Sequence, residues 1–67
     1  MNNETIGTNA GLVWNALNAN NGQTIKDLKK ATKIKTDKVL FSALGWLARE
    51  GKVVLEEVED DVKVTLL

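Results

Sequence analysis

The chain contains neither cysteine nor histidine in its 67 residues. Disulfides and thiolate zinc sites are thereby excluded, and the commonest metal ligand and general base are missing. The only serine, Ser42, has no histidine to activate it, and no glycine-rich phosphate loop occurs. The adjacent acids Asp60 and Asp61 lack the ligand spacing of a calcium loop, and neighbouring turn acids project differently, so they suit a turn better than an acid/base pair. The expectation is a protein without catalytic activity, metal, cofactor or evident small-molecule ligand. No stretch approaches the ~20 apolar residues needed to span a bilayer. The opening Met1-Asn2-Asn3-Glu4-Thr5 has neither the basic residues nor the apolar run of a signal peptide, so a cytoplasmic location and no membrane partner are expected. Proline, internal repeats and low-complexity linkers are absent as well, which favours one uninterrupted domain over residues 1–67.

Net charge is zero, from nine basic and nine acidic residues, so bulk charge gives no reason to expect a nucleic acid or a membrane. The distribution is informative where the sum is not. Six lysines and two aspartates lie between Lys26 and Lys38, whereas five acids crowd the six positions from Glu56 to Asp61. The hydrophobic share of 43% is that of a folded chain. A core this small gives only about 3–5 kcal/mol without support. With disulfides and metals excluded, oligomerisation is the support that remains.

Periodicity supplies the elements. Ile6, Ala10, Val13, Trp14 and Leu17 share one face of a first helix, which Asn20-Asn21-Gly22 ends. Thr24 and Asp27 form a capping box that opens a short second helix running to about Ala31. This helix is expected to turn Ile25, Leu28 and Ala31 inward and Lys26, Lys29 and Lys30 outward. A turn over Thr32 to Lys35, anchored by Ile34, leads into a third helix that starts at Lys35 or Thr36, reaches Glu50 and stops at Gly51. At about 100° per residue its inner face is Val39, Leu40, Ala43, Leu44 and Leu47. Opposite lies a polar strip of Lys35, Lys38, Ser42, Gly45 and Arg49, flanked by Phe41 and Trp46. Lys52 to Glu59 and Val62 to Leu67, separated by Asp60-Asp61, read as a hairpin whose Val53, Leu55, Val62, Val64 and Leu66 pack on the helices. Gln23-Thr24 is a candidate short third strand.

Three helices followed by a two-stranded β-hairpin make an α+β fold with the layout of a winged helix-turn-helix. The stretch Ala43-Leu44-Gly45-Trp46-Leu47-Ala48-Arg49-Glu50-Gly51-Lys52-Val53 resembles the end of the recognition helix in winged-helix regulators. From Thr5 to Leu67 the chain resembles a small bacterial family of stand-alone winged helix-turn-helix domains of unassigned function. The resemblance implies a DNA-binding protein, in transcriptional regulation, that reads through helix three. DNA contacts would then come from Lys35, Thr36, Lys38 and Ser42, with Lys26, Lys29, Lys30 and Lys33 on phosphates. The same lysines also suit a merely solvated face, and base-reading side chains are scarce, with only Arg49 near the far end of the strip.

The acidic hairpin departs from that pattern, because it would repel the phosphates a conventional wing touches. Its acids either keep an edge strand from pairing with other chains or form a docking surface for a basic protein partner or for the lysine end of a second copy. The alternative function is therefore a non-catalytic protein-interaction module, without DNA binding, that uses this wing and the apolar margin. A homodimer is expected on both size and surface grounds, with Trp14, Val39, Trp46 and Leu67 at its interface.

Overall fold

A computed structural model describes all 67 residues. Helix α1 spans Asn3–Ala19, strand β1 Gln23–Thr24, helix α2 Ile25–Thr32, helix α3 Asp37–Arg49, and strands β2 and β3 Val53–Val58 and Asp61–Leu66. The three strands form one antiparallel sheet in the order β1-β3-β2. Gln23-Thr24 therefore does add a third strand to the hairpin, pairing Gln23 with Val64 and Thr24 with Lys63.

Each helix begins on a side-chain cap. Asn2 accepts from the Thr5 N–H at 2.8 Å, which starts α1 three residues earlier than the apolar periodicity alone indicates. Thr24 and Asp27 form the expected capping box of α2. Thr36 caps α3 by accepting from Val39 N–H. That helix closes in a Schellman motif: Gly51 N–H bonds Ala48 O at 3.0 Å and Lys52 N–H bonds Leu47 O at 2.9 Å. The motif places Gly51 at φ 69, a conformation open to glycine at little cost, and aims the chain into β2.

The core joins Ala10, Val13 and Leu17 of α1 to Ile25 and Leu28 of α2 and to Leu40, Ala43, Leu44 and Leu47 of α3. Ile34 from the turn and Val53 and Val64 from the sheet complete it. Two inward assignments change. Ala31 is exposed, because α2 ends one residue later and its inner row continues through Ile34 after Lys33 turns the backbone left-handed. Leu55 is 41% exposed, because β2 is the outer strand of the sheet: its partner Val64 on the central strand β3 is fully buried, whereas β2 is covered only at Val53. Val39, expected on the inner face, is half-buried at the margin of the core.

The hairpin turn is Glu59-Asp60, with Val58 paired to Asp61, so it sits one residue earlier than the Asp60-Asp61 break in the apolar pattern. Asp60 takes the left-handed conformation at φ 60, and Asp61 is left for a different task.

Candidate nucleic-acid interface

Helix α2, the turn Lys33-Ile34-Lys35-Thr36 and the first half of α3 carry all six lysines of the basic segment. Thr32 fixes the turn: its hydroxyl donates to Leu28 O at 2.7 Å and accepts from Ile34 N–H at 3.2 Å. Lys33 follows at φ 62, and burial of Ile34 holds the loop to the core. Lys29 is half-buried and pairs with Asp37 at 2.6 Å, tying α2 to the start of α3. Lys26, Lys30, Lys33, Lys35 and Lys38 are exposed, and none has an ion-pair partner. Sequence periodicity put Lys29 with these outward lysines, and its clamp on Asp37 sets it apart.

The outer strip of α3 is uncovered. Lys38, Gly45 and Arg49 are exposed on it, and Phe41 and Trp46 stand at its margins. From Lys38 to Arg49 the strip runs about 16 Å along the helix axis at 1.5 Å per residue. Two of its hydroxyls are already engaged. Thr36 Oγ1 serves as the α3 cap, and Ser42 Oγ donates to Lys38 O at 2.8 Å, within its own helix. Both keep acceptor capacity; Ser42 has spent its donor, whereas the Thr36 hydroxyl, which only accepts, keeps its O–H. The strip is thus cationic at its two ends, with the uncharged Ser42 and Gly45 between them.

The acidic hairpin divides into two parts. Asp61 is half-buried and turned toward α2, where its carboxylate accepts from the N–H groups of Ile25 at 3.2 Å and Lys26 at 3.5 Å, and from its neighbour Val62 at 2.6 Å. The Val62 bond is the main influence holding its carboxyl below the ordinary value; partial burial opposes it, and the Lys26 and Ile25 bonds and the Lys26 charge reinforce it. A single acid thereby pins the hairpin to the N-terminus of α2. Glu56, Glu57, Glu59 and Asp60 remain exposed and make no ion pair.

A second, buried polar link lies on the other side of the sheet. Gln23 is 5% exposed, and its side-chain amide donates to Ala16 O at 3.0 Å and Asn20 O at 2.7 Å, closing the C-terminal end of α1. Asn21 Oδ1 accepts from Leu66 N–H at 2.9 Å and ties the same corner to β3. Neither role leaves a mark in the apolar pattern: the Asn21 bond joins residues far apart in sequence, and the nearer Gln23 bonds depend on how the chain reverses after α1.

Of the residues expected at a partner interface, Trp14 and Trp46 do come together. They line a groove of about 280 Å³ between α1 and α3, with Gly7 and Gly11 on the α1 side and Glu50 and Lys52 at the α3 end. Leu67 is 77% exposed and attached beside it through its N–H bond to Lys52 O, whereas Val39 does not line the groove. A Cβ added at Gly7, Gly11 or Gly45 would meet no heavy atom within 4 Å. Each of these helix-interior glycines costs about 1 kcal/mol relative to alanine, and nothing within the chain requires any of them.

Residues 1–66 match the family described as "Winged helix-turn-helix domain (DUF2582)". The chain belongs to this family. The solution NMR structure of protein BT2368 from Bacteroides thetaiotaomicron is similar to this winged helix-turn-helix domain with a TM-score of 0.85 and 36% sequence identity, covering 98% of this chain and 79% of that one. No curated protein matches the chain. In this fold α2 and α3 form the helix-turn-helix and β2-β3 the wing, and no helix of the domain is long and apolar enough to cross a membrane.

Proposed function

We propose that this winged helix-turn-helix domain binds duplex DNA as a homodimeric, cytoplasmic, non-catalytic transcriptional regulator. The observation that carries the reading is the set of five unpaired lysines, Lys26, Lys30, Lys33, Lys35 and Lys38, arranged around the turn and the uncovered start of α3. Exposed lysines without carboxylate partners are free to replace the counterions of phosphate, the sequence-independent part of DNA affinity. Lys29 contributes by fixing the angle between α2 and α3 through Asp37 rather than by touching phosphate. Ser42 lies at the same face as an acceptor and Thr36 as both donor and acceptor, and Arg49 is the one arginine available for a bidentate contact with guanine. The wing stays off the DNA in this reading, since four unpaired acids oppose phosphate.

The test is titration with duplex DNA at low and moderate salt, followed by NMR. Salt-dependent binding with shift changes confined to Lys26 through Ser42 is expected. Absence of salt-dependent binding, or changes scattered elsewhere, would remove the proposal.

A second reading has an observation of its own. Val54, Leu55 and Val58 are exposed beside Glu56, Glu57 and Glu59 on a strand whose outer edge pairs with nothing. An acidic, apolar open edge suits a basic protein segment, which makes the domain an interaction module without DNA binding. If a partner captured by the wild type is retained equally after reversal of Glu56, Glu57 and Glu59 to lysine, the wing is not its docking surface.

A further inference from the structure

A two-fold interface sets each surface patch against its own copy, so patches of one charge sign are poor candidates for it. The lysine turn, net positive despite Asp27 and Asp37, would oppose its own lysines, and the wing, net negative despite Lys63, would oppose Glu56, Glu57, Glu59 and Asp60 with themselves. The groove between α1 and α3 differs. Only two of its nine lining residues are charged, Glu50 and Lys52, of opposite sign and 3.6 Å apart. This is the apolar concavity whose like-to-like pairing meets no net repulsion.

Its shape also complements itself. Gly7 and Gly11, one turn apart, leave an unfilled floor, while Trp14 and Trp46 stand at the walls with 37% and 38% of their surfaces exposed. An antiparallel two-fold pairing of α1 centred between Ala10 and Gly11 brings Trp14 of each copy opposite the Gly7 of the other. The indole then fills the space that the missing side chains leave. We propose that a second copy of this chain occupies the α1–α3 groove in this antiparallel arrangement. The proposal rests on the homodimer in the functional reading above and not on DNA binding. It removes Val39 from the interface, keeps Trp14 and Trp46 at its centre, and puts Leu67 at its rim through the contact with Lys52. The lysine turn and the outer strip of α3 stay open on both copies.

Sedimentation equilibrium of the intact protein without DNA, up to about 0.5 mM, tests the proposal separately from any DNA titration. The wild type should form a reversible dimer, and Gly11→Leu, which fills the floor, should raise the dimer Kd at least about tenfold. The Cβ that Gly11→Leu adds meets no heavy atom within 4 Å, and a circular dichroism spectrum and urea melt of the variant at dilute monomer concentration show whether it folds. The double variant Gly7→Ala/Gly11→Ala should weaken the dimer yet unfold at higher urea when diluted to monomer, opposite signs that general destabilisation does not produce. In a mixed-label NMR sample, nuclear Overhauser contacts between copies should join the Trp14 ring to Gly7. A wild type that stays monomeric at that concentration overturns the proposal. So does a dimer indifferent to Gly11→Leu, or one whose inter-copy contacts map to the lysine turn or the wing.

Discussion

Replacing Gln23 by methionine isolates the link between α1 and the sheet. Methionine keeps the length and most of the buried volume but cannot donate to Ala16 O or Asn20 O. Two side-chain to backbone hydrogen bonds are lost, each contributing about 1 kcal/mol net. Ala16 O still accepts from Asn20 N–H, and Asn20 lies at the surface where water can replace the amide, so neither carbonyl is fully orphaned. The added apolar burial offsets part of the loss, leaving a destabilisation of about 1–2 kcal/mol. For a domain of this size that is a fall in Tm of roughly 4–16 °C, or in the urea midpoint of about 1–2 M. Trp14 and Trp46, partly exposed on facing walls of one groove, report unfolding by fluorescence at concentrations low enough to keep the chain monomeric. Gln23→Glu should be worse than Gln23→Met at neutral pH, because a carboxylate would then face two carbonyl oxygens, and the gap should narrow in acid as the carboxyl regains a donor. A Gln23→Met midpoint change below about 0.5 kcal/mol with an unchanged slope would refute this account of the corner.

The lowered pKa of Asp61 means that its contribution to stability is present above the unfolded-state pKa and lost as pH falls through the folded-state value. Asp61→Asn should therefore lower Tm most at neutral pH, and the difference from wild type should vanish in acid; thermal melts across pH check this. Gly45→Ala should stabilise the dilute monomer by about 1 kcal/mol in urea titrations, since its Cβ enters open space on an exposed helix. Gly51→Ala should destabilise by at least about 1 kcal/mol in the same titrations, because alanine resists the left-handed Schellman position. For DNA, neutralising Lys30, Lys35 and Lys38 to glutamine should reduce the log–log salt slope of binding by about 0.9 per phosphate contact removed, read by fluorescence anisotropy at several salt concentrations.

Much of the fold is legible in the chain because local chemistry dictates it. The Thr24-Asp27 capping box, the Gly51 stop and the inward row Leu40, Ala43, Leu44 and Leu47 each act within a few residues. The lysine cluster is legible for the same reason. Its division is not, because the clamp from Lys29 to Asp37 depends on how two helices meet, and the same meeting leaves the other five lysines unpaired. Alternation suggested that Leu55 packs inward; a period of two selects a face of the strand but cannot say whether that strand lies at the centre of the sheet, as β3 does with its buried Val64, or at the edge, as β2 does.

The sequence by itself determined three helices, a hairpin and two oppositely charged ends, since propensity, capping and periodicity are short-range. Tertiary structure decided what the polar residues do. It turned Asp61 from a turn former into the anchor of the wing on α2, and Gln23 from a strand residue into the closure of α1. It also brought Trp14 and Trp46, 32 positions apart, onto one glycine-floored groove. The Asp61 bonds and the groove join segments distant in sequence, and the Gln23 bonds form only when the chain reverses after α1 and buries the amide, so the apolar pattern encodes none of them.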